Sequence, residues 1–135
     1  MSVPRSKRGE SEMEFIHTAR ELQIYTVRKC IGAMKKRYTF YGGQQLANLS
    51  IEVYDYAKRA NSIYPTNAHE AQMRRDYFLR ALAATQSMIS QIEVACEITH
   101  FDADIMHGWM ELVSKEIRLL KAVMRTDKKR YGDLT

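Results

Sequence analysis

The chain has 135 residues, 45% apolar and 27% charged, which fits one globular domain with a single core and sets aside wholesale disorder. Eight methionines against six glycines and two prolines favour helices over a sheet. A formal net charge of +5 and a pI near 9.3 point to an anionic partner, nucleic acid first and an acidic membrane surface second, while no apolar run reaches the length of a membrane span.

Residues 1–11 carry Pro4, Arg5, Lys7, Arg8 and Gly9, with Val3 as the one sizeable apolar side chain. They are expected to form a flexible basic arm that grips phosphate or simply solubilises the chain. This polar opening has no secretory h-region, so a reducing, cytoplasmic location is expected, with Cys30 and Cys96 as buried free thiols.

A first helix is expected from residue 12 to about 36. Ser11 can cap it, Glu12 and Glu14 stand in its first turn, and Lys35, Lys36 and Arg37 lie at its far end. Its apolar seam reads Met13, Ile16, Arg20, Ile24, Val27, Ile31 and Met34, flanked by Phe15, Ala19, Leu22 and Cys30. Arg20 is the odd member, expected to snorkel, pair with an acid or contact a neighbouring subunit. Residues 38–43, Tyr-Thr-Phe-Tyr-Gly-Gly, read as a short aromatic link. They lack the spacing and the Lys-Ser/Thr of a phosphate loop. The rings are expected to cap one end of the core, with stacking on nucleic-acid bases as the alternative.

The second helix is expected over 44–63, where Leu46, Leu49, Val53, Tyr56, Ala60 and Ile63 recur at heptad steps until Pro65 ends it. The connection over 64–67 is short, which makes the second and third helices antiparallel neighbours. The third helix, 71–98, is the central one. Phe78, Leu82, Thr85, Ile89, Ile92 and Cys96 form its seam, Ala81, Met88, Ala95 and Ile98 widen it, and Asn67 with Glu70 resembles a capping box. After a turn at 99–101, Asp102 is the expected cap of the fourth helix, with Asp104 in its first turn. Ile105, Trp109, Leu112, Leu119 and Val123 form its apolar line, and Glu116 falls within that line, expected to pair across a helix interface. The expected architecture is all-α, an up-down-up-down antiparallel four-helix bundle over 12–127, followed by a frayed basic tail at 128–135.

His100, Asp102, Asp104 and His107 are the best candidates for metal ligands, but Asp102 and Asp104 are explained as helix-start residues and the histidines lack the i, i+4 spacing of helical zinc motifs. His17 and His69 have no catalytic company, and neither cysteine is placed to become a thiolate. No metal, no cofactor and no enzymatic activity are therefore expected. The basic residues carry more information. An up-down-up-down bundle would gather Lys58, Arg59, Arg74, Arg75, Lys121, Arg125, Lys128, Lys129 and Arg130 at one end, beside Arg5, Lys7 and Arg8 of the arm. Such an end suits a phosphate backbone or an acidic protein.

Several short words carry a family likeness: Pro-Arg-Ser-Lys-Arg-Gly-Glu-Ser-Glu at 4–12, Lys-Arg-Tyr-Thr-Phe-Tyr at 36–41, Tyr-Asp-Tyr at 54–56, Ala-Asn-Ser-Ile-Tyr-Pro at 60–65 and Arg-Arg-Asp-Tyr at 74–77. With four helices around them, the chain resembles the bundle family that includes the accessory variability determinant (Avd) of diversity-generating retroelements and the proteins encoded in ribosomal RNA intervening sequences. The resemblance implies a small basic protein that assembles with itself, typically as a pentamer. It also implies binding to the element's reverse transcriptase and to RNA or DNA, in support of mutagenic reverse transcription and retrohoming. No catalytic residues are implied, and Arg74 with Arg75 is the best-matched basic pair. The competing readings are a protein-interaction or structural bundle whose charge is incidental, and an accessory protein of another mobile element, such as a relaxosome component.

Overall fold

A computed structural model describes residues 13–135. Among them the secondary structure is wholly helical, with four long helices: α1 (Glu14–Val27), α2 (Gln44–Asn61), α3 (Ala68–Thr99) and α4 (Ala103–Tyr131). α1 packs mainly on α2 and α4, and α3 does the same from the other side. None of the helices is long and apolar enough to cross a membrane.

Of the caps expected at the helix starts, Ser11 lies outside the described residues and the other two form. Asn67 Oδ1 accepts the Glu70 backbone N–H at 2.9 Å, and Asp102 Oδ1 accepts that of Ile105 at 2.9 Å, each satisfying an amide with no partner inside its helix. The Glu70 carboxylate turns back to the Thr66 backbone N–H (2.8 Å) and hydroxyl, which hold its pKa below the ordinary range. α3 ends at His100, whose φ of 56° is left-handed, the conformation that stops a helix.

The heptad steps place α2 and α3 well. Leu46, Val53 and Ala60 of α2 and Phe78, Thr85, Ile92 and Cys96 of α3 are buried, while Leu49, Tyr56, Leu82 and Ile89 lie half-buried on the flanks. α1 is rotated from its expected seam. Ile16 and Met34 of that seam are buried, but the rest of the buried side is the expected flank, Phe15, Ala19, Leu22 and Cys30, joined by Thr18 and Thr26; Arg20 is exposed, as is Ile31 at 62%. Thr26 holds this register because its hydroxyl accepts the Trp109 indole N–H at 2.9 Å, deep in the core. Beyond Val27 the helix widens into a π-helical segment, Arg28–Ala33, whose i→i+5 turns keep residues four apart in line.

The link between α1 and α2 also differs from expectation. The chain is extended only at Met34 and Lys35 (ψ 139° and 141°), then winds one turn at Lys36–Tyr38 and a second π-helical segment at Thr39–Gly43 that runs into α2. Gly43 makes this possible. A Cβ there would stand 2.7 Å from the Met34 Sδ and 3.3 Å from both the Cβ and the carbonyl oxygen of Cys30, so a side chain would have to displace Met34 and ease the two segments apart. Likewise α4 extends to Tyr131, so Lys128, Lys129 and Arg130 stand on its last turns rather than in a frayed tail.

The core forms two clusters, one around Trp109, Met88 and Leu22 and the other around Phe15, Phe78 and Leu120. Glu116 lies one turn from Val113 of the first and one turn from Leu120 of the second. It is fully buried, and the expected cross-helix partner is missing: among the described residues its two carboxyl oxygens are the buried side-chain atoms that lack a hydrogen bond. Loss of solvation pushes its pKa up to about 9, with Lys115 offsetting only part of the rise. At neutral pH the side chain is therefore a carboxylic acid rather than a carboxylate.

A raised acid has a definite sign in the pH dependence of stability. Below the unfolded-state value of 4.5 both states hold the proton and nothing is lost; between 4.5 and about 9 the unfolded chain releases it and the folded chain does not, so stability falls as pH rises. Glu116→Gln removes the titration. Its stability relative to the parent should improve by about 1.4 kcal/mol per pH unit across that interval and level off on either side, as read from urea unfolding at a series of pH values.

Candidate nucleic-acid interface

The C-terminal half of α4 carries Lys115, Arg118, Lys121, Arg125, Lys128, Lys129 and Arg130. Arg118, Lys121, Arg125 and Lys128 recur at steps of three, four and three, which places them on one face, and all four are exposed. With a rise of about 1.5 Å per residue they span about 15 Å. The two acids in this stretch do not oppose them. Glu116 is buried and neutral, and Asp127 is turned inward with its side chain only 14% exposed. From Arg118 to Lys128 the outer face of α4 is thus an unbroken cationic stripe.

Asp127 is held by Arg74, a residue expected at the nucleic-acid surface and found in the core. Arg74 is 6% exposed. Its Nε donates to Asp127 Oδ2 at 2.6 Å and its Nη2 to Oδ1 at 3.2 Å, while Nη1 donates to the carbonyls of Ala60 and Ile63, both at 3.1 Å. The guanidinium also lies over the rings of Phe78 and Tyr131, at 5.0 and 5.7 Å. Those carbonyls belong to the last turn of α2 and the residues just beyond it, where the regular i→i+4 donors of the helix run out. Arg74 is therefore a clamp joining α2, α3 and α4, not a phosphate ligand. Arg75 is exposed and borders an open groove shared with Lys128 of α4.

Lys58 and Arg59 form a separate group on α2. The Lys58 ammonium sits 5.3 Å from the Tyr54 ring, and Arg59 lies over Tyr56 and Tyr77 at 5.7 and 6.0 Å while pairing with Asp55 at 3.0 Å. Tyr56 and Tyr77 are near-parallel, 6.1 Å apart, and Arg80 approaches Tyr56 at 5.7 Å. Two guanidinium groups thus lie close to a stacked pair of phenol rings across the α2–α3 seam. Arg118 and Arg80 were not among the candidates from the sequence. Arg118 could have been found by extending the Lys121–Arg125–Lys128 spacing back one turn; Arg80 needed the fold. Arg5, Lys7 and Arg8 lie outside the described residues.

Asp102 is engaged in capping, and His107 faces Glu111 at 3.6 Å; among the described residues no three His, Cys, Asp or Glu side chains converge to hold a metal. Burial, reinforced by Cys96, pushes the Cys30 thiol up to about 12, and burial also raises Cys96, so both stay protonated. Compared with protein-family models, curated proteins and solved structures, the chain gives no match.

Removing the clamp leaves Asp127 and the Ile63 carbonyl without the Arg74 donor, and the Ala60 carbonyl with backbone N–H donors alone. Arg74→Ala should therefore cost about 3 kcal/mol, whereas Arg75→Ala, on the surface, should stay within about 0.5 kcal/mol. Chemical denaturation of the two variants side by side checks this.

Proposed function

We propose that this chain is an up-down-up-down bundle that binds nucleic acid as a cytoplasmic accessory protein, in the manner of the diversity-generating retroelement proteins it resembles. Its partners would be the element's reverse transcriptase, RNA or DNA, and further copies of itself. The observation that carries the nucleic-acid reading is the stripe Arg118–Lys121–Arg125–Lys128, whose neighbouring acids are neutral or turned inward. Cations spaced about one helical turn apart along about 15 Å suit a run of phosphates and carry no base readout, so binding is non-specific and driven by counterion release. The partner polymerase rests on the resemblance alone.

Lys121→Gln, Arg125→Gln and Lys128→Gln together should lower the slope of log affinity against log salt by about 2, without altering sequence preference. Filter binding of structured RNA at several salt concentrations measures it. An unchanged slope would favour the protein-interaction bundle instead.

Self-association is supported by the outward side of α3, where Leu79, Val94 and Ile98 are exposed and the run from Ala81 to Ile92 carries no charge. Light scattering at micromolar concentration should give a multiple of the 15.7 kDa protomer, with five copies the expectation from the resemblance. A protomer mass would remove oligomerisation from the proposal.

A further inference from the structure

The corner between α1 and α2 presents a combination that the α4 stripe lacks. No Asp or Glu occurs between Glu21 and Glu52, a stretch that holds Arg28, Lys29, Lys35, Lys36 and Arg37. Lys35, Lys36 and Arg37 are all exposed, and directly after them Phe40 and Tyr41 stand 79% and 83% exposed. Adjacent aromatic rings this open to water are costly to leave uncovered, since each withholds its apolar area from the core.

The fold holds them there by its own bonds. Tyr38 packs against the Trp109 cluster, the Thr39 hydroxyl donates to the Cys30 carbonyl at 2.5 Å, and Gly43 is buried beside Cys30. The π-helical turn is thus anchored at Tyr38, Thr39 and Gly43, which leaves Phe40 and Tyr41 on its outer side. The two rings meet at 88° with centroids 5.7 Å apart, and the Arg37 guanidinium lies 4.7 Å over the Tyr38 ring. Ring faces and cations are arrayed within the seven residues Lys35 to Tyr41, on a corner tied to the core at Tyr38, Thr39 and Gly43.

The geometry points to a binding site for unpaired nucleotides, with bases stacking on Phe40 and Tyr41 and phosphates meeting Lys35, Lys36 and Arg37. This rests on the nucleic-acid reading above and adds a contact with bases to one with backbone. Stacking on aromatic faces needs single-stranded substrate, because paired bases keep their faces inside the helix. A flat anionic membrane fits less well. Tyr41 borders a groove lined by Val94 and Ile98 of α3, beside which Glu93 and Glu97 are exposed. A lipid surface laid on the rings would meet those carboxylates; a narrow single strand need not.

Fluorescence anisotropy of the full chain with labelled oligoadenylate, oligouridylate and an RNA duplex tests the site. Phe40→Ala with Tyr41→Ala should weaken oligoadenylate binding by about tenfold or more. Duplex affinity should stay within about twofold and the single-strand salt slope should be unchanged, because no phosphate contact is removed. Phe40→Tyr with Tyr41→Phe, which keeps both ring faces, should restore binding and any preference for adenylate. Both residues are exposed, so thermal unfolding should match the parent. An equal fall for single strand and duplex would overturn the stacking site, as would no change in either. Loss of pelleting with phosphatidylserine vesicles at unaltered oligonucleotide affinity would also overturn it and assign the corner to a membrane. If the alanine pair has no effect while the α4 glutamine variants lower the slope, the stacking site fails and the nucleic-acid reading stands.

Discussion

The Arg74–Asp127 pair is the constraint on which one end of the molecule depends. A guanidinium has five N–H donors in a rigid fork, and here both arms and the bridging nitrogen are used at once: a carboxylate of α4 and two carbonyls at the end of α2, all from a residue of α3. Burying such a charge is tolerable only because nearly every donor is matched. The clamp also decides what the surface looks like. By drawing Asp127 inward, it removes the acid that would have interrupted the basic face of α4.

Charge in this protein is sorted by burial as much as by sequence position. The chain carries 21 basic and 16 acidic residues, a modest excess. That excess becomes local because Glu116 is neutralised in the core and Asp127 is consumed by the clamp, while Arg118, Lys121, Arg125 and Lys128 all face water. The corner at 35–41 achieves the same result differently, by a stretch of sequence with no acid at all. A bundle whose average charge says little can thus present two surfaces of concentrated positive charge.

Much of the fold was legible in the residues. The heptad steps of α2 and α3 and the caps at Asn67 and Asp102 are local signals, and local signals survive folding. The register of α1 was not legible, because what fixes it is a hydrogen bond between Thr26 and Trp109, 83 positions apart. Thr26 reads as a surface residue until that partner is known, and Ile31 reads as core until the helix widens. Arg74 was misplaced for the same reason: an arginine defaults to the surface, and its acid lies 53 positions away. The link at 38–43 looked like a loop because paired glycines signal freedom, whereas Gly43 serves close packing. Of the candidate interface, the cluster at the end of α4 was visible, but its continuity was not, since that required knowing where two carboxylates go.

The proton on Glu116 makes folding a chemical as well as a conformational event. At neutral pH the unfolded chain holds this side chain as a carboxylate, and the native core accepts it only as the acid. Each molecule that folds must therefore draw a proton from its surroundings, and each that unfolds returns it. The buffer becomes a silent reactant: the heat of unfolding includes the heat of protonating whatever base takes up that hydrogen ion, and it will differ between buffers even where the protein's own enthalpy does not.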